Sequence, residues 1–213
     1  MTEVLRQDLA LIAELIPPGV RLLDIGCGDG SLLEYLGRHK NVDGRGIELS
    51  QKGVNACVAR GLSVVQGDAD TDLQFYPERG FDVVVLSQTL QATRHPDRVV
   101  AEMVRIGKTA IVSLPNFGKL SIRMQILLQG RMPRTHTLGY EWYDTPNIHL
   151  CTLADFYNLT RFQAITIESF IPVSRRGRAG IWRQRLGLAN LLADQGIFIL
   201  SRHLPEQPGR NHG

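Results

Sequence analysis

The chain has 213 residues and a formal net charge of only +3, which argues against a nucleic-acid-binding module with a concentrated basic face. Its three cysteines, Cys27, Cys57 and Cys151, form no C-x-x-C pair and no Cys/His cluster. Neither a disulfide framework nor any metal site is therefore predicted. The N-terminal segment has no apolar secretory core, and no apolar run approaches the roughly 20 residues of a membrane span, so we expect a cytoplasmic protein that does not act at a membrane.

Apolar periodicity divides the chain into alternating helices and strands. A helical stripe over residues 3–16 ends at Pro17-Pro18-Gly19. Strands are predicted at 20–25, 43–48, 62–65, 81–86 and 108–114, separated by helices at 31–38, 50–61 and from 96 onward. After Pro115 we predict a helix at 117–128, a short helix that Thr152 caps, and strands at 164–171 and 196–200. Such alternation is typical of an α/β protein with a mostly parallel sheet and helices on both faces.

We expect one domain over residues 1–202 and a disordered tail over 203–213, because the tail is polar and contains Pro and Gly. Residues 130–149 form an aromatic loop, which could be a substrate lid or a hydrophobic plug over the sheet end. Residues 173–195 form a basic insert with five arginines and Trp182. The insert could be a solvated helix face or a partner surface.

The stretch LLDIGCGDG, residues 22–30, predicts a cofactor site. A buried strand ends in Asp24 and breaks into a turn with glycines at positions 26, 28 and 30. Glycines there remove the Cβ atoms that would keep a ligand away from the backbone. The helix that follows leaves free N–H groups at its N-terminus.

Three consecutive strands end in or next to an acid: Asp24, Glu48 and Asp68. Glu48 lies about 20 residues beyond the turn, at the spacing from which a carboxylate can accept ribose hydroxyls. The spacing G-x-G-x-G differs from the G-x-G-x-x-G of dinucleotide-binding proteins, and the turn has no basic residue for a phosphate. Acids without a basic partner favour a phosphate-free, cationic nucleoside such as S-adenosylmethionine.

In content and order, LLDIGCGDG, GIELS, QGDA and FDVVVLSQTLQ resemble the motifs of class I S-adenosylmethionine-dependent methyltransferases. The later stretches LPNFGK, YEWYDTPNIHLCT and DFYNL resemble one branch, the methionine biosynthesis protein MetW family. The resemblance covers about residues 4–202. It implies a Rossmann-like, seven-stranded sheet whose last strand is antiparallel.

Carried over by position, the resemblance implies these cofactor-binding residues: Asp24, Gly26, Cys27, Gly28, Gly30, Glu48, Leu49, Asp68, Ala69, Ser87 and Gln88. The glycines would wrap the methionine moiety and Asp24 would hold its ammonium group. Glu48 would take the ribose hydroxyls, while Leu49 would pack on adenine. Asp68 and the Ala69 backbone would bind the adenine edge, and the last two residues would lie beside the sulfonium. We expect Cys27 to fill the turn rather than to react.

No catalytic residue stands out in the sequence. His149, Tyr140 and His95 are weak candidates, and His136 lies near the first two. Methyl transfer from a sulfonium can proceed by positioning and desolvation, so it does not require a base.

The family resemblance implies an accessory or regulatory protein of methionine biosynthesis that works with homoserine O-acyltransferase. Binding of S-adenosylmethionine, or of the product S-adenosylhomocysteine, could then report cofactor level to that enzyme. The alternative is an active S-adenosylmethionine-dependent methyltransferase that acts on a small molecule. A nicotinamide-dependent oxidoreductase is disfavoured by the glycine spacing and by the unpaired acids.

Overall fold

A computed structural model describes residues 5–134, 139–174, 177–178 and 185–202. The helices are α1 Gln7–Leu15, α2 Ser31–Lys40, α3 Gln51–Ala59, α4 Pro96–Ile106, α5 Leu120–Gln129, α6 Leu153–Phe162 and α7 Leu186–Leu192. The strands are β1 Arg21–Ile25, β2 Asp43–Glu48, β3 Val64–Gln66, β4 Phe81–Ser87, β5 Gly107–Pro115, β6 Ile165–Ser174, β7 Gly177–Arg178 and β8 Gln195–Arg202. Two short 3₁₀ helices span Leu73–Phe75 and Leu90–Ala92.

The strands form one mixed sheet in the order β3-β2-β1-β4-β5-β8-β6-β7. Strands β1 to β5 pair in parallel, and β8 lies antiparallel between β5 and β6. The prediction of a seven-stranded, mostly parallel sheet with an antiparallel last strand is confirmed. The structure adds the two-residue edge strand β7, which pairs with the end of β6 inside the predicted basic insert.

Central strands are nearly continuous apolar runs because helices cover both of their faces. Residues 83–86 of β4 are all buried, as are residues 22–25 of β1. Helix α4 packs Val99, Val100 and Met103 into the layer on one face, while α1 and α2 cover the other. The carboxyl ends of β1 to β5 therefore meet at one edge of the sheet, and the loops that follow them can form a site there.

Helix α5 begins at Leu120, three residues later than predicted, because Asn116 holds the preceding turn in a non-helical form. Its Nδ2 donates to the carbonyls of Asn190 and Ala193, at 2.8 and 3.0 Å, while its Oδ1 accepts from the Gly118 amide. Helix α6 extends five residues beyond the predicted end at Tyr157, and a capping box between Thr152 and Asp155 begins it.

Several predictions fall on residues outside the described ranges. These are His136, much of the basic insert including Trp182, and the tail from residue 203. Within the described ranges, no helix combines the length and apolar character that a membrane crossing needs.

Candidate cofactor site

The glycine turn after β1 adopts a left-handed backbone at alternate positions. Gly26, Gly28 and Gly30 have φ values of +69°, +59° and +78°, which L side chains rarely adopt. A Cβ on Gly26 would lie 2.7 Å from Thr89, whereas the space beside Gly28 is open. A Cβ on Gly30 would instead collide with Leu62 and Cys57, so this third glycine permits close packing against the segment around α3.

Glu48, at the end of β2, holds the turn in place. Its Oε2 accepts from the Gly28 amide at 3.0 Å, and its Oε1 accepts from the amide and hydroxyl of Ser50 at 2.9 and 2.7 Å. A carboxylate has about four acceptor positions, so one position on Oε2 is left for a ligand hydroxyl. Gly53 makes this arrangement possible, because a Cβ there would lie 2.7 Å from Glu48 Cγ.

Beside the turn lies an open cavity of about 340 Å³ at the carboxyl ends of the strands. Five of the predicted cofactor-binding residues line it: Gly26, Glu48, Leu49, Asp68 and Ala69. We call the part formed by Glu48, Asp68 and Asp70 the β2–β3 side. Other residues that line the cavity include Thr89, Arg94 and Ile148, which were not predicted from the sequence.

The acids of the β2–β3 side are fixed by backbone amides. Asp68 Oδ1 accepts from the Asp70 amide at 2.9 Å. Asp70 in turn accepts from the amides of Arg94 and His95, both at 2.8 Å, and so joins the loop after β3 to the start of α4. Because these partners are backbone groups, the carboxylates have fixed positions before any ligand binds.

Asp24 lies beneath the turn with only 3% of its surface exposed. Burial raises the pKa of this carboxyl to about 7, opposed by Arg6 and reinforced by Glu48. A buried acid in this state would be stabilised by a ligand ammonium group, so its environment fits the role that the resemblance implies.

A second polar cluster, which we call the β4 side, lies where α1 meets the ends of β4, β5 and β8. Asp8 is fully buried, and its Oδ2 accepts from Ser87 Oγ at 2.9 Å and from Gln88 Nε2 at 3.0 Å. Arg6 forms an ion pair with Asp8 at 2.6 Å and donates to Ser87 Oγ at 2.8 Å. Gln88 Nε2 also donates to Gln195 Oε1 at 2.6 Å.

The backbone of Gln88 is strained, with a φ of +51°. A non-glycine residue in this region costs about 1–2 kcal/mol and needs surrounding contacts to hold it. Its amide donates to the carbonyl of Ser113, and its side chain is fixed by Asp8 and Gln195. The predicted sulfonium-facing pair, Ser87 and Gln88, is thus bound to the chain's own N-terminal helix.

The remaining predicted residues lie in separate places. Cys27 is buried with its Sγ 4.0 Å from that of Cys57, and burial raises the pKa of its thiol well above the usual range. Of the catalytic candidates, Tyr140 lines a cavity of about 170 Å³ in the aromatic loop, and His149 lines another of about 220 Å³ with Cys151. His95 is exposed at the start of α4. The structure does not bring these three candidates together.

In the described part of the aromatic loop, Trp142 and Tyr143 are 74% and 71% exposed, so these two rings do not plug the sheet end. The loop is attached at its far end, where the amides of Ile148 and His149 donate to the Gln91 carbonyl at 2.7 and 3.0 Å. In the part of the chain that the structure describes, no three His, Cys, Asp or Glu side chains come together as a metal site.

Residues 6–200 match the family described as methionine biosynthesis protein MetW. The chain belongs to the MetW family. A relative from Rhodopirellula baltica, named bifunctional methionine biosynthesis protein MetXA/MetW, is 34% identical over 164 residues, which are 73% of this chain and 26% of that protein. A fatty-acid O-methyltransferase from Mycolicibacterium smegmatis is 36% identical over 41% of this chain and 33% of its own length. The chain thus spans a quarter to a third of the curated relatives that it matches.

Solved structures place this MetW protein in the class I methyltransferase fold. An S-adenosylmethionine-dependent methyltransferase from Mesorhizobium loti superposes with a TM-score of 0.67 at 16% identity, covering 92% of this chain and 98% of that one. Magnesium protoporphyrin IX methyltransferase from Synechocystis, solved with S-adenosylhomocysteine bound, gives 0.61 at 18% identity, covering 92% and 80%. The predicted family and fold are confirmed.

The residues that were not predicted from the sequence include Arg6, Asp8, Gly53 and Asp70. A signal for Asp8 was present, because it occupies a core-facing position of the α1 stripe between Leu5 and Ile12. A charged residue at such a position needs buried partners. Gly53 gave no signal, because a glycine inside a helix shows its purpose only when its neighbours in space are known.

Proposed function

We infer that this MetW protein binds S-adenosylmethionine and acts in methionine biosynthesis as an accessory or regulatory subunit of homoserine O-acyltransferase. The observation that supports cofactor binding is the environment of Asp24. This carboxyl is buried beside the glycine turn, and Glu48 accepts a hydrogen bond from the Gly28 amide of that turn. A cationic nucleoside satisfies both acids, whereas a dinucleotide would bring phosphates toward them.

In this proposal, Asp24 binds the ammonium group and the last acceptor position of Glu48 binds a ribose hydroxyl. Asp68 binds the adenine amino group and Leu49 covers its ring. When bound, the cofactor supplies an electrophilic methyl group on sulfur. The residues of the β2–β3 side orient the nucleoside.

The state of the β4 side favours an accessory role over turnover. Ser87 and Gln88 would face the sulfonium, yet both are hydrogen-bonded to Asp8 of α1. A methyl acceptor needs an approach to this position, where Arg6 and Asp8 already occupy hydrogen-bonding positions of Ser87 and Gln88. Binding without transfer then makes the protein a reporter of cofactor level, because a ligand that prefers one state shifts the population toward it.

The partner is supported by the relative from R. baltica. Its name joins MetXA and MetW in one bifunctional protein, and the match to this chain covers 26% of it. Two proteins that are fused in one organism often act together in another, because fusion keeps their effective concentration high.

Co-purification with homoserine O-acyltransferase tests this function, with and without S-adenosylmethionine. We expect a complex whose dissociation constant changes at least fivefold with the cofactor, by a coupling of about 1 kcal/mol. Glu48→Ala is the control, since it should form the complex and lose the cofactor effect. A complex indifferent to the cofactor would remove the sensing role.

The alternative function, an active methyltransferase on a small molecule, is favoured by the intact β2–β3 side and its open cavity. Incubation with S-adenosylmethionine and candidate metabolites, followed by detection of S-adenosylhomocysteine, discriminates the two. Product formation at a rate above the protein-free control would establish turnover and contradict the accessory role.

A further inference from the structure

The proposed cofactor carries an α-amino acid with two charged groups, of which Asp24 accounts for one. Asp24 binds the ammonium group in the proposed function. The carboxylate of the same amino acid needs a cationic partner nearby, because both groups are attached to one carbon atom. Among the described residues that line the cofactor cavity, the one Lys or Arg is Arg94, which lies beside Asp70 on the β2–β3 side.

Arg6, at the start of α1, lies closer to the glycine turn. Its Nη2 donates to Ser87 Oγ at 2.8 Å. In the pairing of β1 with β4, Ile25 lies opposite Leu86. One residue further along both strands, Ser87 comes level with Gly26, the first glycine of the turn. The guanidinium group therefore lies at the end of the sheet where the glycine turn begins.

The charge of Arg6 also acts on Asp24. Burial raises the pKa of the Asp24 carboxyl, and the charge of Arg6 opposes this rise. A cation lowers the pKa of a carboxyl in this way only when the two groups lie near each other. Asp24 and Arg6 therefore form a pair of opposite charges at the glycine turn, which is the complement of an amino-acid zwitterion.

The guanidinium group of Arg6 has unused donors. A guanidinium carries five N–H groups. In Arg6, Nε and Nη2 donate to the two carboxylate oxygens of Asp8, at 2.6 and 3.0 Å, and Nη2 also donates to Ser87. Among the described residues, the two N–H groups of Nη1 have no acceptor. The Arg6 side chain is 53% exposed, whereas that of Asp8 is fully buried, so a ligand can reach the guanidinium group without displacing Asp8.

We propose that Arg6 binds the carboxylate of the ligand whose ammonium group Asp24 binds, an inference that rests on the proposed function. The ligand class is then a nucleoside joined to an α-amino acid zwitterion. Asp8 is a positioning residue, because its bidentate pair fixes the Nε–Nη2 edge of the guanidinium group. Since Arg6 lies directly before α1, the amino-acid part of the ligand binds both the turn after β1 and the N-terminal helix.

Decarboxylated S-adenosylmethionine tests this assignment, because it keeps the sulfonium and ammonium groups and lacks only the carboxylate. Titration calorimetry of the full chain with each nucleoside gives the preference for the carboxylate as a ratio of dissociation constants. We expect wild type to bind S-adenosylmethionine about 10- to 100-fold more tightly, as a charge-assisted hydrogen bond provides. In Arg6→Gln this ratio should fall to about threefold or less, while affinity for the decarboxylated nucleoside should stay within about threefold of wild type.

Arg45→Gln is the matched control. Arg45 pairs with an aspartate two residues away, as Arg6 does, and its side chain is 55% exposed. It does not line the cofactor cavity. The preference of Arg45→Gln for S-adenosylmethionine should therefore equal that of wild type.

Hydrogen exchange of wild type provides a second test that needs no substitution, in case Arg6→Gln does not fold. At saturating concentrations, S-adenosylmethionine should slow the exchange of the α1 amides at least about threefold more than its decarboxylated form does, because only the intact ligand binds α1 through Arg6. Equal protection of α1 by the two nucleosides would contradict the assignment.

The outcomes separate this inference from the proposed function. If wild type binds neither nucleoside, the proposed function fails and the role of Arg6 fails with it. If wild type binds S-adenosylmethionine but does not prefer it, or if Arg6→Gln keeps the wild-type preference, Arg6 does not bind the carboxylate while the proposed function stands. Equal weakening of both nucleosides in Arg6→Gln would also overturn the assignment, because Arg6 would then act through the fold alone.

Discussion

The β2–β3 side of the cofactor cavity and the β4 side, the cluster around Asp8, hold their polar groups in different ways. On the β2–β3 side, Glu48, Asp68 and Asp70 accept hydrogen bonds from backbone amides that lie 2 to 25 residues away in the chain. On the β4 side, Asp8 accepts from side chains, including those of Ser87 and Gln88 about 80 residues away, and none of these partners is a backbone amide. One side is a rigid receptor built into the sheet, and the other is a contact that depends on the position of α1.

This contrast indicates that the two sides contribute different things. Carboxylates that are held by backbone amides lose little conformational freedom when a ligand binds, because their positions and charges are already fixed. A side-chain network around a buried charge stabilises the fold only while all its partners stay in place. We therefore expect substitutions on the β4 side to affect stability most, and substitutions on the β2–β3 side to affect cofactor affinity most.

The largest expected effect is on the β4 side. Asp8→Ala should lower the free energy of unfolding by about 3 kcal/mol, because it removes the shared acceptor of Ser87 and Gln88 and the ion-pair partner of Arg6 from a buried network. Urea denaturation measures this change. Asp43→Ala is the control, since its pair with Arg45 is exposed and should contribute less than about 0.5 kcal/mol. Equal stability of the two variants would refute the contrast.

On the β2–β3 side, Glu48→Ala should weaken S-adenosylmethionine binding by about one to two decades. The charge-assisted hydrogen bonds that Glu48 makes to the Gly28 amide and, in the proposed function, to the ribose are worth roughly 1.5–3 kcal/mol. Calorimetric titration gives the affinity. Ser50→Ala is the control, because it removes a neighbour of the same carboxylate without touching the ligand, and it should change affinity less than threefold. Unchanged affinity in Glu48→Ala would count against the role assigned to Glu48.

The raised pKa of Asp24 predicts that the stability of the protein depends on pH. Its pKa in the folded protein is about 7, above the ordinary value of 3.8, so the unfolded chain ionises first as the pH rises. The stability contribution of this group is therefore highest below about pH 4 and declines until about pH 7. Asp24→Asn should be more stable than wild type at pH 8, by roughly 1–3 kcal/mol, and the difference should shrink toward pH 4.

The same carboxyl should make cofactor binding pH-dependent. If its ionised form binds the ammonium group, affinity rises roughly five- to tenfold from pH 6 to 7.5, as the ionised fraction grows. Asp24→Asn should bind more weakly and lose this dependence. A wild-type affinity that stays flat over this range would show that Asp24 does not contact the ammonium.

The smallest expected effect is that of Gly53→Ala, which tests whether cofactor affinity depends on the position of the Glu48 carboxylate as well as on its presence. Gly53→Ala places a Cβ 2.7 Å from Glu48 Cγ and 2.8 Å from the Gly28 carbonyl oxygen, and so displaces the carboxylate and the glycine turn without removing either. Affinity for S-adenosylmethionine should fall about threefold, or ~0.7 kcal/mol. Stability should fall by about 1 kcal/mol, because the backbone contact outweighs the helix preference of alanine. The neighbouring Asn55→Ala, on the exposed side of α3, serves as the control.

The same contrast explains what could be predicted from the sequence. The glycine turn, Glu48 and Asp68 occupy fixed positions after strands, so alternation and spacing were sufficient to place them in one cavity. The β4 side could not be predicted in this way, because Asp8 and Gln195 come from opposite ends of the chain.

The central claim is that the acids around the glycine turn select a cationic nucleoside. Titration calorimetry tests it most directly, with the purified chain titrated in parallel with S-adenosylmethionine and with a nicotinamide dinucleotide. The account predicts saturable binding of S-adenosylmethionine at one site and no heat from the dinucleotide. Binding of the dinucleotide by a protein that ignores S-adenosylmethionine would contradict it.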